Sequence, residues 1–326
     1  MVASIGGAVC CVGVIRGSFV QFCIGALLFG LNIACVQSYR FAAGQAAPAN
    51  LRARAISLVL LGGLGSAVIG PQIAIHAEAV WLGAPYASAF AGQVVFAALT
   101  IPFLAFLKLP GGHGLARPSA EASLPSRPGS GLRARFPVTR SYFIAVVCAA
   151  IAYGSMSFTM TAAPLAIVAC GLGKDNAALG IQWHIIGMFA PSLITGRLIE
   201  RFGHFRIMIT GIAIVALGAA IALSSEHLAA FWVTLVLLGI GWNFAYTGST
   251  VMIAHASAAA GAVTLQGLAD FLIFAFVAAA SLLSGAIFQL VSWAMINVVV
   301  LTALIGMMVL IWANGRRERT MPLNEP

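Results

Sequence analysis

The sequence predicts an all-α polytopic membrane protein. Three observations predict it. Of the 326 residues, 61% are apolar and only 8% are charged. The apolar residues fall into runs of about 20, the length a helix needs to span a bilayer. The charged residues gather between those runs. No strand-type alternation is visible, and in lipid only helices or closed barrels satisfy every backbone polar group.

The elements follow in order. Residues 2–15 form an apolar run too short to span. Full-length segments follow at residues 18–39, 55–76 and 84–107. After a polar stretch come 142–169, 176–198, 206–223, 228–253, 262–289 and 291–313. The expected count is nine full helices and a partial first one.

Charge orients these helices. The formal net charge is +9, from 17 basic and 8 acidic residues. If the helices alternate in direction, one side of the membrane receives Arg40, Arg52, Arg54, the basic residues from Lys108 to Arg140, Arg197, Arg201, Arg206 and the tail arginines. Only Arg16 and Lys174 fall on the other side. An excess of Lys and Arg marks the cytoplasmic side, so the C-terminus is expected in the cytoplasm. The basic loops are thus topology signals, and nucleic acid is not an expected partner. The six cysteines lie in apolar segments without metal-ligand spacing, and read as small buried hydrophobes. No cofactor or metal site is expected.

Residues 110–140 are rich in Pro, Gly, Ser and Arg and read as a flexible cytoplasmic linker. The segments on either side repeat one another. Gly30–Cys35 (GLNIAC) aligns with Gly241–Tyr246 (GWNFAY) at an offset of 211, and Ala55–Leu58 aligns with Ala262–Leu265 at 207. Two parallel helix repeats are an architecture of secondary transporters. On that offset Met1 corresponds to Ile212, so two helices are expected upstream of Met1. The chain therefore reads as a twelve-helix protein without its first two helices, with a ten-helix protein as the alternative. The expected domains are an incomplete N-terminal bundle at 1–109, the linker, a six-helix C-terminal bundle at 141–314 and a cytoplasmic tail at 315–326.

The most distinctive stretch is Gly196–Arg206, GRLIERFGHFR, a charged island between two apolar helices. Gly203 permits a tight turn or a close helix approach. Glu200 can accept from helix N-terminal amides or pair with an arginine, forming an ion pair in one state and breaking it in another. Earlier in the chain, Gly62, Ser66 and Gly70 recur every four residues and make one small helix face, and Pro71 removes a backbone donor.

With these motifs the chain resembles the major facilitator superfamily. The family's cytoplasmic loop signature is matched by Gly196, Leu198, Glu200, Arg201, Gly203 and Arg206, while His204 and Phe205 depart from its basic pattern. Its glycine series ending in Gly-Pro is matched by Gly62, Ser66, Gly70 and Pro71. More narrowly, YRFAA at Tyr39–Ala43, Ile181–Gly196, Gly241–Phe244 and Gln266–Phe274 resemble a bacterial branch that includes a riboflavin uptake transporter. The resemblance implies two pseudo-symmetric helix bundles in the bacterial inner membrane, transport of a small organic solute by alternating access, and a monomer as the sufficient unit. It implies gating roles for Gly196, Glu200, Arg201, Gly203 and Arg206. Asp270, in the cytoplasmic third of its helix, reads as a gating or structural ion-pair partner, with proton binding as the alternative.

Polar groups at mid-bilayer depth are costly and face a cavity or a neighbouring helix. On this ground the candidate solute contacts are Asn32, Tyr153, Ser157, Gln182, His184, Trp242, Asn243 and Tyr246. Tyr153, Ser157 and Thr161 share one helix face. Asn32 and Asn243 recur at matching depth in the two repeats. The set is aromatic and amide-rich rather than charged, which suits a flat, neutral, hydrogen-bonding solute. His184 titrates near neutral pH when exposed, so proton coupling is left open.

Three readings compete. The leading one is a secondary transporter, importing riboflavin on the narrower resemblance or exporting drugs or metabolites. A membrane enzyme would need paired acids, a nucleophile with its base or a metal motif, and none is present. A fragment incompetent for transport, or a regulatory membrane protein, is the reading of another class. The gating assignment makes a prediction. Glu200→Gln lowers solute uptake more than it lowers the amount of protein in the membrane, measured by uptake and quantitative blotting of one membrane preparation. Equal loss of both would assign Glu200 to folding.

Overall fold

In lipid, helices gain little from hydrophobic burial against one another, so they associate through close van der Waals contact at small residues. The computed structural model is built this way. It describes residues 1–46, 52–76, 85–106, 139–259, 264–290 and 292–320. The 110–138 part of the expected linker lies outside the described residues, as do 321–326 of the tail. All described elements are helical: α1 (Val2–Ile15), α2 (Phe19–Ala46), α3 (Arg52–His76), α4 (Pro85–Phe106), α5 (Arg140–Ala169), α6 (Lys174–Phe189), α7 (Ser192–Phe202), α8 (His204–Ser224), α9 (Leu228–Ala259), α10 (Thr264–Leu290) and α11 (Trp293–Thr320).

The chain divides into two compact units. The first is Met1–Val59 with Ile73–Pro137, and the second is Leu60–Gln72 with Val138–Pro326. In the first unit α1 has 14 residues, or about 21 Å at 1.5 Å per residue, short of a span as expected. It lies against α2 and α4 through bare backbone. A Cβ on Gly13 would come 2.8 Å from Phe22 N, and one on Gly7 would come 2.8 Å from Val94. Cys10 and Cys11 are buried in this seam, and the Cys11 thiol donates to the Ala87 carbonyl at 3.3 Å. Cys148 is also buried, whereas Cys23 and Cys170 are exposed.

The second unit holds six spans long and apolar enough to cross a membrane: Arg140–Ala169, Lys174–Phe202, His204–Ser224, Leu228–Ile253, Leu265–Phe288 and Trp293–Ile311. Local signals start them. Thr139 caps α5, its hydroxyl accepting from the Tyr142 amide at 3.2 Å. Gly173, at φ 86°, turns the chain into α6, and Asp175 sits in the first turn, where the helix dipole favours an acid.

The second span differs from the continuous 176–198 segment that the hydropathy suggests. It is two helices, broken at Ala190–Pro191. Pro191 has no N–H to give the Gly187 carbonyl, so the helical ladder stops there. Apolar composition carries no trace of this break; the proline does.

At the centre lies α9, which touches α5, α6 and α8. Its glycines set the distances. A Cβ on Gly241 would lie 2.6 Å from the Gly211 carbonyl oxygen and 2.8 Å from Val215 N on α8. One on Gly248 would lie 2.9 Å from the His204 carbonyl. On the other side a Cβ on Gly239 would run into the His184 carbonyl of α6, and one on Gly187 of α6 would lie 2.8 Å from Val236 O. The core around this axis comes from α5, α8, α9 and α11, including Ile167, Met208, Phe231, Ile296 and Leu304. α10 turns apolar side chains outward, among them Phe271, Leu282 and Leu290. This is the surface a lipid-facing helix presents.

Backbone contact of this kind leaves no room for a methyl group. Gly241→Ala is expected to destabilise the solubilised protein by about 1–3 kcal/mol, the usual cost of overpacking. Gly306→Ala, on α11 with nothing within 4 Å of its added Cβ, is expected to be neutral or slightly stabilising. Thermal unfolding in detergent compares the two.

Candidate functional site

The charged island forms the end of α7, a one-residue turn and the start of α8. Gly203 is that turn, at φ 85° and ψ 148°. Side-chain-bearing residues rarely adopt this backbone, so the position needs glycine. The Gly203 amide closes α7 on the Ile199 carbonyl at 2.8 Å, and its carbonyl opens α8 by accepting from the Ile207 amide at 3.4 Å. Arg197, Glu200, Arg201 and Arg206 are exposed, and nothing approaches a Cβ built on Gly196. The Arg201 guanidinium lies 5.3 Å from the Phe202 ring centroid. No ion pair of Glu200 occurs among the described residues. Asp270 is exposed on α10 and interacts electrostatically with Tyr142 of α5, whose phenol donates to the Leu265 carbonyl at 2.6 Å.

The expected solute contacts separate into three groups. Tyr153 on α5 and Trp242 and Tyr246 on α9 come together. Tyr153 meets Trp242 and Tyr246 edge-on, with both centroid distances 5.2 Å. Trp242 and Tyr246 stack at 5.1 Å with 10° between planes, as a four-residue spacing on one helix face allows. Phe274 of α10 completes the group, 5.7 Å from Tyr153. Sequence reasoning missed Phe274. Its signal was present in the Gln266–Phe274 stretch, but a phenylalanine in an apolar helix is indistinguishable from a lipid-facing one until the helix has a phase. Tyr153, Trp242 and Tyr246 are half-buried, and the Trp242 indole N–H has no partner among the described residues.

A second group is made of amides and hydroxyls. Gln182 of α6 accepts from the Gln72 Nε2 at 2.9 Å, within the second unit. Ser157 gives its carbonyl to the Thr161 hydroxyl at 2.8 Å, and that hydroxyl also lies 3.2 Å from the Ser281 hydroxyl of α10. On α3, a Cβ built on Gly62 or Gly70 would meet nothing within 4 Å among the described residues, while one on Gly63 would lie 3.5 Å from the Phe189 ring. Pro71 is buried, and the Ser66 hydroxyl bonds back to the Gly63 carbonyl at 2.7 Å.

A third group points into the seam between helices. His184 is 1% exposed, and its Nδ1–H donates to the Leu235 carbonyl at 2.8 Å. Its Nε2 is buried with no partner among the described residues. Asn243 is 3% exposed, with its amide spent on α6 and α7. Asn32 is half-buried on α2, in the first unit. The repeat that pairs Asn32 with Asn243 fixes their depth along a helix, not the direction each side chain takes. Among the described residues no cluster of three or more His, Cys, Asp or Glu could hold a metal ion.

The arrangement is therefore a neutral wall of π faces on α5, α9 and α10, backed by buried polar contacts. Comparison with known proteins agrees with a membrane carrier. The sequence profile of the Major Facilitator Superfamily matches residues 1–264. The riboflavin transporter RfnT of Brucella anthropi is 38% identical over 91% of this chain and 73% of its own length. Two uncharacterized MFS-type transporters of Bacillus subtilis (strain 168) are also similar. YddS is 26% identical over 84% of this chain and 65% of its own length, and YdeG is 28% identical over 93% and 72%. The chain belongs to the major facilitator superfamily and is a multi-pass membrane transporter, not an enzyme.

Proposed function

We propose that the protein carries riboflavin, or a close heteroaromatic relative, inward across the bacterial inner membrane by alternating access. The aromatic wall is the observation that carries this reading. Tyr153, Trp242, Tyr246 and Phe274 offer contiguous π surface without a charge, which suits a flat, neutral ring system. Offset or edge-on aromatic contacts add about 0.5–1.5 kcal/mol beyond area burial. The Trp242 N–H, without a partner among the described residues, offers a donor for a ring carbonyl or nitrogen. Gln182 and Gln72, now bonded to each other, can exchange that bond for one to the solute. The 38% identical relative named for riboflavin points to the same chemistry.

In this reading the Gly196–Arg206 loop and the C-terminus face the cytoplasm, following the excess of basic residues there. Glu200 and the neighbouring arginines are the mobile charges of the gate. Their exposure, with no ion pair of Glu200 among the described residues, suits a contact made only in another state of the cycle.

Uptake of labelled riboflavin, in a bacterium that needs it from the medium, tests the assignment. The expected result is saturable uptake that supports growth on limiting riboflavin. Trp242→Ala is expected to raise KM by about tenfold, the equivalent of 1.4 kcal/mol of lost stacking. No uptake, with the protein shown to be in the membrane, would remove riboflavin as the solute. An unchanged KM would remove the aromatic wall as its site.

A further inference from the structure

At the Ala190–Pro191 break both residues keep helical dihedrals, but the ladder is weakened: the Leu193 amide reaches the Ala190 carbonyl at 3.4 Å, so the angle between the two arms depends on other contacts. In an unbroken helix the Met188 carbonyl would accept from residue 192. Here it accepts from Asn243 Nδ2, at 2.8 Å. The same nitrogen donates to the Ser192 hydroxyl at 2.7 Å, in the first turn of α7. Asn243 Oδ1 accepts from the Thr195 hydroxyl at 2.6 Å, one turn further on. That hydroxyl also lies 2.7 Å from the Pro191 carbonyl. One buried side chain of α9 thus grips the last turn of α6 and the first turn of α7 together.

The arms differ in how else they are held. α6 is fixed to α9 along its length, by the His184–Leu235 hydrogen bond and by the close approaches at Gly187 and Gly239. α7 buries only Thr195, and a Cβ built on its Gly196 would meet nothing within 4 Å among the described residues. At its far end α7 carries Arg197, Glu200 and Arg201. The span is a firm arm, a break and a loosely held arm that ends in the charged loop.

We propose that the Ala190–Pro191 break is a hinge of the transport cycle and that Asn243 is the positioning residue that latches it. While Asn243 holds Met188, Ser192 and Thr195, α7 keeps one angle to α6. When those bonds open, α7 and its charged turn swing while α6 stays on α9. The Asn243 amide is then spent on the hinge and does not touch the solute. Proline removes the donor to the Gly187 carbonyl, and the asparagine amide takes the next carbonyl, Met188, with a bond that can be made and broken without unwinding either helix.

Distances between spin labels test this without any solute. Labels are placed at Trp183 on α6 and Phe202 at the end of α7, both exposed, in the full chain with its six cysteines replaced. Measured in lipid nanodiscs, the parent is expected to give one narrow distance population. Asn243→Ala is expected to shift and broaden it. Adding Pro191→Ala restores a backbone donor and is expected to narrow the population again. Thr195→Val removes one latch bond at nearly constant volume, is expected to give a smaller shift, and keeps the test intact if Asn243→Ala does not fold. Unchanged distances in Thr195→Val and in any folded Asn243 variant would overturn the hinge. So would broadening that Pro191→Ala fails to reverse. Either failure would leave the riboflavin reading standing.

Discussion

The structure of the second unit depends on how closely α9 lies to its neighbours. Gly239 brings it to backbone contact with α6, and Gly241 and Gly248 do the same with α8. In a bilayer this contact replaces the hydrophobic force that assembles a soluble core. Each atom pair contributes only about 0.1–0.2 kcal/mol, so the seam must be long and tight to count. Glycines on both sides of α9 make it the axis on which α6 and α8 are hung. The remaining polar side chains are then fixed in direction.

That fixing separates two kinds of polar residue which look alike in a sequence. His184 and Asn243 point along the tight seam and find partners on the opposing backbone or hydroxyls. Trp242 and Tyr246 leave α9 towards Tyr153 of α5, which also meets Phe274 of α10, and a half-buried aromatic face results. One helix thereby supplies both a mechanical clasp and, in the proposed function, a wall of the solute site. Asn243 directly follows Trp242, so in the proposed cycle a change at the solute face reaches the α6–α7 break through a single residue of α9.

Much of this was legible in the sequence. Apolar run lengths located the spans, because a bilayer's thickness leaves few alternatives. The glycine at position 203 announced its turn, and its φ of 85° is one that glycine adopts without strain. The pairing of Tyr153 with Trp242 and Tyr246 was within reach, since all three are aromatics at mid-membrane depth in their segments. Phase was not legible. α9 is apolar all round, so no polar stripe shows which face meets α6, which meets α8 and which lines a cavity. For that reason Asn243 could be given a depth but not a partner, and Phe274 could not be told from Phe271. The break at Pro191 was visible as a proline, yet Pro71, Pro102 and Pro164 lie inside helices that continue through them. At Pro191 the side chain of Asn243 stands opposite, bonded to both helix ends, and that is a tertiary fact.

The central claim is a division of labour on α9 and its neighbours: an aromatic face for the solute and an amide–imidazole face for mechanics. Alkylation of single cysteines by a small hydrophilic maleimide, in native membranes with and without saturating riboflavin, tests it most directly. Cysteines at Tyr153 and Tyr246 should react and be slowed by riboflavin, and cysteines at His184 and Asn243 should stay unreactive in both conditions. Reaction and riboflavin protection at 184 and 243, with none at 153 and 246, would contradict the account.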